Sequence, residues 1–248
     1  MATVPVLMAT GILGGGVAQM SARIAALPNN VCYWGMGDPS GTAAVDSSGN
    51  AANGLYSGTY TLAQPGIGDG SLSTSFDGVS GRVSIATPIA AIDTLMGDKS
   101  KGSIGAWGKV SGAGVWADAT SRFLMEIGAG ANNRVFIYKN SSSNLLTATH
   151  VAGGTTKQMT YSTSTVEFFS LWLTWDKDVD QAKMYVGGIQ RGATLTGLGT
   201  WVGTLTGGFS ALASFASTGG GYWSGGLAHG VLANVAYTAA QIASVSTL

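Results

Sequence analysis

The chain has 248 residues, of which 39 are glycine, 45% are hydrophobic and only 10% are charged, well below the roughly 25% charged content of an average soluble protein. Twelve basic against twelve acidic residues leave no electrostatic footprint for nucleic acid or an anionic membrane, and no run approaches the roughly 20 apolar residues of a membrane helix. High hydrophobicity at zero net charge also excludes wholesale disorder.

The first thirty residues read as an arm distinct from the body. Val4 to Ala18 is apolar and Gly-rich, but a signal peptide carries Lys or Arg ahead of its apolar stretch, and here the first basic residue is Arg23. Met20, Ile24 and Leu27 recur at helical spacing before Pro28, which predicts a short helix at about 19–27. An arm of this kind is suited to docking on neighbouring subunits. The only cysteine, Cys32, has no internal disulfide partner and sits beside Tyr33 and Trp34, so a small buried apolar residue is expected.

From residue 31 to 248 the chain reads as strands, at 31–35, 73–76, 83–85, 103–110, 123–127, 134–139, 145–150, 167–175, 182–186, 194–198, 208–215 and 225–234. Several alternate with period two, as in Phe169, Leu171, Leu173 and Trp175 against Ser170, Trp172 and Thr174. Gly, Asn, Asp and Ser clusters separate them, and glycine is read as turn chemistry throughout. Trp172 and Trp175 lie on opposite faces of one strand, so only one of them points into the core. Thr238 and Gln241 fit a capping box before a C-terminal helix. The expected fold is all-β, two antiparallel sheets forming a sandwich.

Four segments carry a family resemblance. They are Tyr33-Trp34-Gly35-Met36-Gly37-Asp38 with Asp46-Ser47-Ser48-Gly49; Ser75-Phe76-Asp77-Gly78; Leu171-Trp172-Leu173-Thr174-Trp175-Asp176 with Lys183-Met184-Tyr185-Val186; and Tyr222-Trp223-Ser224-Gly225-Gly226 running on to Gln241-Ile242. In this order and spacing, over about residues 31–245, the chain resembles the concanavalin A-like lectin/glucanase superfamily in its laminin-G-like branch. The resemblance implies a jelly-roll sandwich. The arm, 1–30, lies outside it.

The chemistry of that superfamily's glucanases does not carry over. Retaining hydrolysis needs two carboxylates about 5–5.5 Å apart, supplied there by a Glu-x-Asp-x-Glu strand. This chain has Glu126 and Glu167 in separate strands, neither with an acid two residues away, so no enzyme activity and no catalytic residue is expected. Asp176-x-Asp178-x-Asp180 begins like a calcium loop, but Gln181 and Gly187 stand where Gly and Glu are required; a hairpin tip is the better reading. Calcium is frequent in laminin-G-like domains, with Asp46 or Asp77 as conceivable ligands, yet no full oxygen set is legible and no metal or cofactor is assigned. His150 and His229 are far apart and lack zinc-ligand partners, there is no Gly-x-Ser-x-Gly elbow and no phosphate loop. The sequon at Asn140 has meaning only in a secreted chain.

Aromatic residues in loop-like stretches are the remaining binding candidates: Trp116 with Asp118 and Arg122, Trp201, and Tyr222-Trp223. Rings of this kind stack on sugar faces while Asp and Arg hydrogen-bond hydroxyls. Burial of Trp201 and Trp223 in the core or at a subunit contact is the competing expectation. The resemblance, joined to low charge and the arm, points first to a non-enzymatic virion structural protein, a phage capsid decoration, head-fibre or tail component made in the host cytoplasm. Such a protein would form homo-oligomers and meet other virion proteins through its arm, with glycans as a further partner. The alternative is an extracellular or surface lectin or adhesin module that binds carbohydrate; a glycoside hydrolase ranks last.

Overall fold

Period-two alternation, punctuated by glycine-marked turns, builds the strands in this computed structural model, which describes residues 19–215 and 219–248. The strands are β1 (Asn30–Trp34), β2 (Ala43–Ala44), β3 (Gly54–Ser57), β4 (Tyr60–Pro65), β5 (Leu72–Asp77), β6 (Arg82–Ser84), β7 (Lys101–Val110), β8 (Arg122–Gly130), β9 (Asn133–Lys139), β10 (Leu145–Ala152), β11 (Thr155–Ser162), β12 (Phe169–Asp176), β13 (Gln181–Val186), β14 (Ile189–Leu195), β15 (Phe209–Leu212) and β16 (Ser224–Ala233). Helices α1 (Met20–Ala25), α2 (Ile89–Met96) and α3 (Ala239–Ser244) and a short 3-10 helix at Ala113–Ala117 complete the regular elements of the described chain. The first sheet runs β14-β13-β12-β7-β16-β5-β4, with β1 also paired to β16; the second runs β11-β10-β9-β8-β15-β6-β3-β2. Every pairing is antiparallel. The expected two-sheet sandwich is the observed fold.

The facing sides of the sheets enclose one apolar cluster that includes Trp34, Ile104, Leu124, Ile137, Leu146, Trp175 and Leu232. A second apolar layer lies on the outside of the first sheet, where Trp107, Trp172, Tyr185 and Val231 meet Met20 and Ile24 of α1 and Ile242 of α3. Trp172 and Trp175 therefore do face opposite ways, as alternation requires, yet both are buried.

The described part of the arm is folded back on its own body. Met20 and Ile24 are fully buried, and the Met20 N–H donates to Asp69 Oδ2 at 2.8 Å, capping the open end of α1. At the other end Asn30 Nδ2 donates to the Ile24 and Leu27 carbonyls. Arg23 donates to Ser244 and Thr247 carbonyls, tying α1 to the C-terminal helix. The capping box before α3 is present: the Thr238 N–H donates to Gln241 Oε1 at 2.8 Å, and the Gln241 N–H to Thr238 Oγ1 at 3.3 Å. The expected arm extends over 1–30; its residues 1–18 lie outside the described chain.

Several elements differ from expectation. The strand expected at 194–198 lies earlier, at Ile189–Leu195, and β2, β3, β4, β11 and α2 were not foreseen. β4 and β11 are the outermost strands of their paths, with every second residue of β4 exposed and β11 mostly exposed. Edge strands need not be apolar, so hydrophobicity does not mark them.

Candidate functional site

The site begins with a break in strand pairing. The first half of β16 pairs with β5, ending at Leu227 opposite Thr74. Its second half pairs on the same side with β1, ending at Gly230 opposite Trp34. The two strands thus abut β16 end to end, and at the junction β16 bulges: its register with β7 shifts between Ala228 and Val231. His229 occupies the bulge with φ of 51°, a left-handed conformation that side chains other than Gly adopt rarely. Its N–H donates to the Gly35 carbonyl at 3.2 Å. Met36, where the chain leaves β1, is also left-handed at φ 59°. Such residues cost on the order of 1–3 kcal/mol each and cluster at functional sites.

Over this junction opens a groove of about 630 Å³, flanked by α1 and bordered by Tyr33, Met36, Asp38, Ser71, Leu72 and His229. The size falls in the range of small-ligand sites, roughly 300–1,000 Å³. A second hollow of about 280 Å³ shares Ala25, Tyr33 and Ser47 with it and adds Asn29, Asn30, Ser48 and Asn50. Together they form a track along α1, apolar at one end and lined by amides and hydroxyls at the other.

The polar groups of the track are held from behind. His229 Nδ1 lies 2.8 Å from the Tyr33 hydroxyl and Nε2 3.3 Å from Ser71 Oγ. Burial pushes the imidazole down to about 4, against the opposing pull of Asp69, so it is neutral at pH 7. Asp38 accepts from the Tyr56 hydroxyl at 2.8 Å. Asp46 anchors the adjoining loop: its carboxylate accepts from the N–H groups of Tyr33, Ser48 and Ala52 and from Ser48 Oγ, at 2.8–3.0 Å. In the sequence His229 is readable as a zinc ligand without partners or as a histidine of a Ser-His-Asp set without its elbow, not as the centre of a groove. The available signal was Gly230 inside an apolar strand, which marks a bulge.

The aromatic candidates lie elsewhere. Trp116 is 1% exposed and donates to the Thr165 carbonyl at 2.9 Å; Trp223 is fully buried and donates to the Gly226 carbonyl at 2.9 Å. Neither ring faces solvent, so neither offers a stacking platform in this conformation: both fill the space between the sheets. The polar members hold chain segments together. Asp118 bridges Arg122 Nε at 2.6 Å and buried Lys139 Nζ at 2.8 Å. Burial alone would raise its carboxyl, but these hydrogen bonds hold it below the usual range. Arg122 also donates to the carbonyls of Gly78 and Tyr222. Half-buried Tyr222 donates to the Gly219 carbonyl. Trp201 lies apart from these, half-buried against the core beside His150.

The carboxylates discussed for calcium and hydrolysis are similarly engaged. All four acceptor positions of Asp46 are filled as described. Asp77 accepts from the N–H groups of Val79, Ser80 and Gly81 and from Ser80 Oγ, which holds its carboxyl well below the ordinary range. Asp176 and Asp180 flank the β12–β13 hairpin tip, Asp180 accepting from Gly197 and Leu198. Among the described residues no group of three His, Cys, Asp or Glu is placed to hold a metal. Glu126 lies buried on β8 beside Arg134, whereas Glu167 precedes β12 of the other sheet and is exposed. Cys32 is buried, and burial raises its thiol far above the ordinary value.

No protein-family model matches the chain, and no curated protein is similar to it. Solved structures are. The receptor-binding domain of botulinum neurotoxin type G superposes with a TM-score of 0.60 at 11% identity, over 87% of this chain and 50% of that one. The serotype D binding domain gives 0.62 at 11%, over 88% and 51%. The CBM40 domain of the Ruminococcus gnavus IT-sialidase, in a structure bound to alpha2,3 sialyllactose, gives 0.55 at 13%, over 70% of this chain and 96% of that one. The chain spans about half the length of the toxin domains and matches nearly all of the CBM40. At these identities the likeness is one of fold: a two-sheet sandwich, shared with domains named for binding rather than for catalysis.

Proposed function

We propose that the chain is a non-catalytic glycan-binding sandwich whose ligand lies in the track along α1. The observation that carries this reading is the junction groove itself, where exposed Val45 and Leu72 meet the hydroxyl of Ser71 and the carboxylate of Asp38, with Tyr33, Met36 and His229 buried behind them. Sugars present one apolar face and a rim of hydroxyls, and this combination matches both. The backbone strain at Met36 and His229 fits a site held in shape before its ligand arrives. The sialyllactose bound by the structurally similar CBM40 supports the ligand class and makes sialylated oligosaccharides the first to try.

The virion role expected from the resemblance, the low charge and the arm draws its assembly contacts from the arm. Residues 19–30 pack on their own sandwich, and residues 1–18 lie outside the described chain, so no observation favours that role over glycan binding.

A glycan array with and without calcium, followed by calorimetry on the hits, tests the proposal. Ala22 and Ala25 are exposed on α1 and border the track, so Ala22→Trp and Ala25→Trp fill it without touching the buried face of the helix. Binding that weakens at least tenfold in both variants is expected. An array without hits removes the glycan reading. Hits whose affinity ignores both tryptophans move the site off the track.

A further inference from the structure

A small cavity at the Trp201 end of the sandwich stands apart from the track. It measures about 90 Å³ and is bordered by Lys99, His150, Lys177, Gly199 and Trp201. Two of its side chains carry buried nitrogens without a hydrogen-bond partner, His150 Nδ1 and Trp201 Nε1. His150 is 2% exposed. Buried polar groups are almost always paired, so two orphans on residues that border one cavity point to an occupant.

The wall also decides what kind. Lys99 gives one proton to Asp93 Oδ1 and one to the Gly97 carbonyl, both at 2.7 Å. Lys177 donates to the Leu198 carbonyl and lies 3.4 Å from Asp180 Oδ1. An ammonium has three protons, so each lysine keeps one uncommitted, alongside the indole N–H. Asp98 also borders the cavity, but it is exposed and already accepts from the Ser100 N–H at 2.9 Å. Water can accept two hydrogen bonds and donate two, so among donors its own protons go unused; an anion only accepts. The volume equals roughly three liquid-water shares, far below the roughly 300 Å³ at which small-molecule pockets begin. A sugar or nucleotide is too large.

We infer that this cavity binds a small monovalent anion, held by Trp201 Nε1, His150 and the free protons of Lys99 and Lys177. Burial, and then the charge of Lys177, push the pKa of His150 down to about 4, so the imidazole is neutral and takes part through its N–H rather than as a charge. The site fixes the loop 197–201 against the ends of β10 and β12. It is independent of the glycan reading.

Titrating the full chain with sodium bromide, and separately with sodium gluconate at matched ionic strength, tests it. Expected are saturable shifts of the Trp201 indole and His150 imidazole NMR signals with bromide alone, and an anomalous bromide peak in the cavity of crystals. Lys177→Met should weaken bromide at least tenfold. Trp201→Phe keeps an aromatic ring, smaller than the indole, and removes one donor; it should also weaken bromide, read from His150, which covers the case in which the lysine variant fails to fold. Equal, non-saturating shifts with both salts, or ordered water alone in the cavity, would overturn the inference. So would unchanged bromide affinity in either folded variant.

Discussion

His150 and His229 are 2% and 1% exposed, and burial pushes both down to about 4 from an ordinary 6.5. Both groups bind protons more readily unfolded than folded, so stability must rise with pH wherever only the unfolded chain is protonated. The stabilisation is complete above 6.5 and is lost as pH falls through the window from 6.5 to 4. Its size is roughly 3 kcal/mol per histidine at the acid end. The depressed carboxyls of Asp77, Asp93 and Asp118 act in a lower window. Their contribution is present above the ordinary carboxylate value of 3.8 and is lost only below it. Urea unfolding at pH 7, 5.5 and 4.5 should therefore show a progressive fall. His229→Asn, which tolerates the left-handed bulge, should remove about half of it. A flat profile over that range would show that neither imidazole is held neutral by burial.

Glycine was legible as turn chemistry, and many glycines do sit in turns at positive φ. What alternation did not reveal is its second use, inside β7. Gly105 lies directly opposite Trp172 on β12, and Gly102 opposite Trp175. A Cβ on Gly105 would stand 2.1 Å from the Trp172 ring, and one on Gly102 would stand 2.4 Å from that of Trp175. The missing side chains are the seats on which the two indoles lie, one on each face of the sheet. This pairing is set by register between strands more than sixty residues apart, which a single sequence does not display. Gly105→Ala must expel the Trp172 ring from the layer beneath α1 and α3. Overpacking of this kind costs about 1–3 kcal/mol. The expected outcome is a lowered unfolding midpoint with a loosened α1, read by faster amide exchange at Ile24. Gly112→Ala, with nothing within 4 Å of the added atom, is the control. Equal stability of the two variants would show that the indole is not seated on Gly105.

At the scale of the molecule, the sandwich was readable because its inner strands alternate and its turns announce themselves. The candidate site was not, because it arises where β1 and β5, about forty residues apart, meet end to end on β16. Its chemistry lies in common residues (Tyr33, Ser71, His229) that form no linear motif. Composition also has a consequence for the molecule as a whole. With a net charge of zero, copies of the chain lack the mutual repulsion that keeps small domains apart. Its exposed large apolar side chains include Val79 at 74% and Val202 at 64%, both outside strands. Neither packs against the core clusters, so changing them should leave stability within about 0.5 kcal/mol. Val79→Glu with Val202→Glu adds two negative charges and removes two apolar tips. The double variant should resist precipitation by polyethylene glycol at pH 7 markedly better than the parent at the same unfolding midpoint. If its solubility is unchanged, self-association comes from a specific surface rather than from missing charge. The same assay on a chain lacking residues 1–18 then shows whether the arm supplies that surface.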